Sequence, residues 1–185
     1  MKKLLSFLLI LTMGVFTSAC INTFAVQQLN QIAQKFLEEG DLESAVSRLE
    51  SSVDLDGNIY ESRYNLAVTY MDMGYCDKAL EQITVAETLV KDEPAVYYVI
   101  GAANTCLADK IFNTKVQTRY NMRHVRLTPE SQARAKEFIT YLQNATDAYD
   151  RYLKLAPNTD ETQNLTSQIS ENKKLIEKYK LNYQL

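Results

Sequence analysis

The sequence predicts an all-α chain of stacked helical hairpins, about three of them, closed at the C-terminal end by a capping helix. Three observations carry that expectation. The 185 residues include only five Gly and three Pro. That is too few turn formers for a β sandwich, and it suits long helices with few stops. Displacing the chain by 34 residues brings three copies of one pattern into register. Small residues recur where helix backbones would meet, at Ala33, Ala67 and Gly101, and again at Ala45 and Ala79.

The elements follow in order. The first repeat reads as helices 26–39 and 42–55, the second as 59–73 and 76–91, and the third opens with 93–108. Ile32, Leu66 and Ile100 align, as do Phe36, Tyr70 and Asn104, and then Gly40, Gly74 and Ala108. Leu49 pairs with Ile83 in the second helices. The large residues are expected to fill the layer between helices, and the small ones to let backbones approach. Gly40 and Gly74 supply left-handed residues that end helices. Asp41, Glu43 and Asp77 then sit near the next N-terminus, where negative charge is favoured. Asp54-Leu55-Asp56-Gly57-Asn58 reads as a helix end and inter-repeat turn, because Gly57 follows Asp54 too early for a calcium loop.

These residues resemble the tetratricopeptide repeat (TPR), a helix-turn-helix unit of 34 residues. The resemblance covers about residues 26–108 and a second-helix piece around 145–157, carried by Ala145, Tyr149, Leu153, Leu155 and Pro157. Tyr152 departs from the pattern, which prefers Ala there. The third repeat is therefore interrupted by an insert at about 109–136. Thr128-Pro129 is a strong helix start, and the pattern through Phe138, Tyr141, Leu142 and Ala145 predicts a long helix over 129–155. A last helix over 159–181 carries Leu165, Ile169, Leu175, Ile176 and Tyr179, with a polar remainder suited to capping a repeat array.

The N-terminus reads as an address. Met1-Lys2-Lys3 precedes an uncharged run of 13 residues from Leu4 to Phe16, then Thr17-Ser18-Ala19-Cys20. That run is shorter than the roughly 20 residues a spanning helix needs. Thr17-Ser18-Ala19-Cys20 resembles the lipobox of bacterial lipoproteins, which implies removal of residues 1–19, acylation at Cys20 and a tether over 20–25 before a single domain over 26–185. Thr17 departs from the usual aliphatic residue. Cleavage by an ordinary signal peptidase after Ala19 or after Ala25 is the alternative, and the second cut removes Cys20. Ile21 after the Cys implies, by analogy, an outer-membrane lipoprotein facing the periplasm.

Charge is segregated. Residues 20–108 carry 14 acidic and 5 basic side chains, whereas 109–136 carry seven basic and two acidic. Lys115, Arg119, Arg123 and Arg126 in this insert form a candidate patch for anions or lipid headgroups. Docking onto the acidic repeats of the same chain is the plainer reading. An exported protein rarely meets nucleic acid, so none is expected as a partner. His124 sits among Arg123 and Arg126 and reads as a surface residue.

Export favours disulfides. Cys76 lies near the start of one predicted helix and Cys106 near the end of the next. Antiparallel packing puts them at similar heights, so a bond is plausible beside the alternative of two buried thiols. One His and three separated Cys leave little for a zinc site or a catalytic triad. No catalytic residue, metal or cofactor is assigned.

In TPR folds that bind peptides, the first helices line a concave face. By that resemblance the face here includes Gln27, Asn30, Gln34, Tyr64, Val68, Met71, Tyr98, Ala102 and Thr105. Packing of each Tyr within its own hairpin is the competing reading. The expected function is a lipid-anchored adaptor for protein or peptide partners in the bacterial envelope, not an enzyme. A structural lipoprotein that only self-associates, as a homodimer, is the alternative.

Overall fold

The computed structural model describes residues 23–112 and 127–185. These residues form seven helices and no strand. The helices are α1 (residues 23–39), α2 (Leu42–Leu55), α3 (Tyr60–Asp72), α4 (Cys76–Leu89), α5 (Pro94–Ile111), α6 (Pro129–Leu155) and α7 (Thr162–Tyr183). The predicted α2 and α6 coincide with the observed ones. The α1 end at 39 and the α4 start at 76 also coincide, and the other ends lie within three residues. Among the described residues no helix is long and apolar enough to cross a membrane.

Local chemistry explains where the helices begin and end. The Asp41 carboxylate accepts the Ser44 N–H at 3.0 Å and opens α2. Thr128 and Ser131 form a reciprocal capping box at α6, with Pro129 in the first turn. Gly40 and Gly74 have φ values of 77° and 75°. Their conformation lets the next N–H reach back across the helix end, from Asp41 to the Phe36 carbonyl at 2.9 Å and from Tyr75 to the Tyr70 carbonyl at 2.8 Å. The acidic turn after α2 is satisfied internally: the Asp56 carboxylate accepts the Asn58 N–H and the Gly57 carbonyl accepts Arg63 Nε. α4 stops at Leu89, short of the predicted 91, because Asp92 turns the chain with φ 51° before Pro94 starts α5.

Packing repeats with the sequence. One buried cluster joins Ala33 of α1, Leu49 of α2, Leu66 and Tyr70 of α3, and Ala79 of α4. The next joins Ala67 of α3, Ile83 and Ala86 of α4, and Val96 and Val99 of α5. A third joins Tyr97 of α5, Ala145, Tyr149 and Tyr152 of α6, and Leu165 and Ile169 of α7. Each cluster thus spans a hairpin and at least the helix that follows it, which is how a solenoid builds a continuous core from units that could not bury their own faces. A fourth cluster lies beyond the repeat pattern. The end of α5, the first half of α6 and the second half of α7 enclose Ala108, Ala135, Phe138, Leu142, Ile176 and Tyr179.

The small-residue positions lie in the interior. Ala45, Ala67, Ala79 and Ala145 are fully buried and Ala33 nearly so. At Gly101 a Cβ would lie 2.3 Å from the Tyr149 ring, so the ring rests on bare backbone. One expectation needs correction. Ile32 is 42% exposed instead of filling a layer, because no described helix covers the outer side of α1. Tyr152 stands where the resemblance prefers Ala, and it is accommodated as an 8% exposed ring whose hydroxyl reaches Thr159 and Glu161. The leader, Cys20 and the basic residues Lys115, Arg119, Arg123 and Arg126 lie outside the described residues, as does His124. Residues 23–25 belong to α1, so the last three residues of the expected tether are helical.

Gly74→Ala should lower the unfolding free energy by about 1–2 kcal/mol, since only the positive φ forbids a Cβ in otherwise open space. Gly74→Asn should cost less, because Asn tolerates this region. Chemical denaturation of the two variants checks the order.

Candidate functional site

The first-helix residues named from sequence divide into those spent on packing and those left to solvent. Asn30 donates its side-chain amide to Ser62 Oγ at 2.8 Å, and Ser62 in turn bonds Ser52 at 2.9 Å. This chain ties α1 to α3 and α2. Gln34 is exposed and reaches Glu38 one turn on. Val68 and Met71 are half-buried against the central clusters, and Ala102 is half-buried on α5. Tyr64 is half-buried beside Tyr60, with ring centroids 5.6 Å apart. Tyr98 is 40% exposed, and its ring meets Tyr149 at 6.2 Å and Tyr152 at 5.6 Å. Both aromatic residues therefore pack on one side and present the other to solvent, which combines the two readings the sequence left open.

Burial controls the tyrosines around this face. Tyr60 is pushed up to about 12 by burial, with the Glu93, Tyr64 and Glu61 charges adding to it. Tyr64 is raised by burial and then by Glu93. Tyr70 is raised by burial and by donating its hydroxyl to Glu50 at 2.5 Å. In the terminal cluster Tyr179 is pushed up to about 12 by burial and then by Tyr183.

Cys76 and Cys106 are bonded to each other, with Cα atoms 6.1 Å apart. The bond ties the start of α4 to the later part of α5. Lys110 Nζ reinforces the same corner by donating to the Gly74 carbonyl at 2.8 Å.

Sequence reasoning passed over one feature. A crevice of about 360 Å³ opens between the second helices α4 and α6, with α5 as its floor. Thr84 and Glu87 line it from α4, Tyr97 and Asn104 from α5, and Asn144, Asp147 and Arg151 from α6. Asn104 is 2% exposed; its Nδ2 donates to the Ile100 carbonyl, and its Oδ1 has no hydrogen-bond partner. The signal was present in the 34-residue register, where Asn104 stands in line with Phe36 and Tyr70. Tyr70 is a buried ring in its cluster, whereas Asn104 is smaller and polar.

No family model and no curated protein sequence matches the chain. Solved structures do. The first TPR of Spaghetti (RPAP3), bound to an HSP90 peptide, is 20% identical with a TM-score of 0.58, over 79% of this chain and 90% of that one. The first TPR domain of human RPAP3 is 20% identical with a TM-score of 0.59, over 83% and 95%. The Yersinia enterocolitica type III secretion chaperone SycD, in complex with a peptide of the translocator YopD, is 19% identical with a TM-score of 0.51, over 84% and 92%. The fold is that of TPR domains.

Two outcomes follow from this geometry. The disulfide closes a loop with a sequence separation of 30, so Cys106→Ala or reduction should remove about 3–4 kcal/mol in the chain-entropy account. Denaturant titration with and without reductant checks it, and an unmoved midpoint would contradict it. The buried tyrosines stabilise the fold while neutral. Their raised folded values mean that this contribution is whole below the ordinary phenol value of about 10. It is lost as pH rises toward about 12 at Tyr60 and Tyr179. Phenolate absorbance and ellipticity followed together should show late ionisation coupled to loss of helix. Full ionisation at about pH 10 in the folded protein would refute this.

Proposed function

We propose that this chain is an exported, lipid-anchored adaptor that holds a protein or peptide partner on its first-helix face in the bacterial envelope, without catalysis of its own. The observation that carries the reading is the solvent-facing side of Tyr64 and Tyr98, one repeat apart on α3 and α5. Aromatic side chains give large contact area with only two torsions to freeze. The bound HSP90 peptide on one structural neighbour and the YopD peptide on another support the same use of the fold. The anchoring half of the proposal rests on Thr17-Ser18-Ala19-Cys20. Several acyl chains at Cys20 would hold the protein at a membrane, which a single chain does only marginally.

A second reading, self-association, is favoured by Phe24 and Ile32 on α1, which are 64% and 42% exposed on a side that no described residue covers. Light scattering over a range of concentrations separates the two.

The direct test places photo-crosslinking side chains at positions 64 and 98, with a control at Thr166 on α7, in cells of the source. One partner should be captured from both face positions and not from the control. Tyr98→Ala should weaken its binding by about tenfold. Metabolic palmitate labelling should vanish in Cys20→Ser. Capture that is equal at the control position, or labelling that persists, would refute the face or the anchor respectively.

A further inference from the structure

We propose that the crevice between α4, α5 and α6 is a second binding site, for a group bearing an ammonium or guanidinium. It opens on the second-helix side and uses none of the residues assigned above to partner binding. Its origin is the replacement of an aromatic by Asn104 at a position where Tyr70, one repeat earlier, fills its cluster. A core vacancy left by a smaller side chain is ordinarily apolar and dry. This one is not: the floor residue is an amide whose buried Oδ1 lacks a donor. A buried acceptor without a partner is costly, and a small rotation of the amide toward an N–H donor seated in the crevice relieves it.

The charges around the crevice point to the same chemistry. Glu87 and Asp147 contribute carboxylates on either side. The one basic lining residue, Arg151, is already engaged: its Nη2 donates to Asp92 at 3.1 Å and its guanidinium lies 4.3 Å from the centre of the Tyr97 ring. An anion would face two carboxylates and a guanidinium whose charge is met. A cation would find the two carboxylates, both acceptors, above the Asn104 side chain. The volume of about 360 Å³ is at the small end of ligand sites, enough for one basic side chain or a small amine. Both sources share this chemistry.

The test is an NMR titration of the full chain in mild detergent with Nα-acetyl-arginine methylamide, Nα-acetyl-lysine methylamide and butylamine. The neutral citrulline analogue and acetate serve as controls. Saturable shifts should centre on the side-chain amides of Asn104 and Asn144, and the citrulline analogue should bind at least about tenfold more weakly. Asp147→Asn lies on the exposed surface of α6, and it should weaken the cationic probes by about tenfold while leaving the spectrum folded. Asn104→Leu should abolish binding. Butylamine matching the lysine probe identifies a free amine as the source, and much weaker butylamine identifies a side chain of a partner; either upholds the site. Equal binding of the citrulline analogue, preference for acetate, shifts centred on α1–α3, or no saturable shift would overturn it.

Discussion

Helix backbones can stack this closely only where one of them carries almost no side chain. The contact of Tyr149 with Gly101 is the extreme case, because the ring occupies the space a Cβ would need. Ala33, Ala67, Ala45, Ala79 and Ala145 do the same with a single methyl at successive levels. Interiors are packed like crystals, so a notch and the group that fills it must be specified together. Once those levels are set, the spacing of the hairpins follows. So does the grouping of Leu49, Leu66, Ile83 and Val96 into clusters that each span three helices or more.

The two faces of the stack inherit different chemistry from this arrangement. Residues next to the notches on the first helices cannot all turn inward, and Tyr64 and Tyr98 are left with one side packed and one side wet. On the other face, the level at Asn104 lacks the aromatic that its register equivalents carry, and the deficit becomes a polar crevice. The disulfide and the Lys110 contact stiffen the α4–α5 corner that supports both faces. A rigid corner lowers the ordering cost of any partner that uses either surface.

Much of this was legible from particular residues. Gly40 and Gly74 announced helix ends because few other residues accept their φ. Thr128-Pro129 announced the start of α6, since an N-cap hydroxyl and a fixed φ are local devices that need no tertiary help. Ile32 was misread because its register position is a core position only where another helix covers it, and no described helix does. Periodicity reports a residue's place in a repeat but not whether a neighbour covers it. The fourth cluster was only half visible: Phe138 and Tyr179 were marked as apolar, but their meeting at 4.6 Å depends on α6 and α7 running past the repeat length. Asn104 was aligned and passed over, because a polar residue in an apolar column reads as variation until its unpaired oxygen is seen. Asn30 was placed on the partner face, and its Nδ2 donates to Ser62, a contact between helices that the sequence did not announce.

The sharpest check on the stacking account is a double-mutant cycle at Gly101 and Tyr149. Gly101→Ala on a solvated helix would stabilise by about 1 kcal/mol through propensity alone. Against the Tyr149 ring it should instead destabilise by about 1–3 kcal/mol, because the added methyl collides with a buried ring. In a Tyr149→Leu background the same substitution should become neutral or stabilising. If Gly101→Ala stabilises the wild type, or costs the same in both backgrounds, the two helices are not keyed at that level and the hairpin stack described here is wrong.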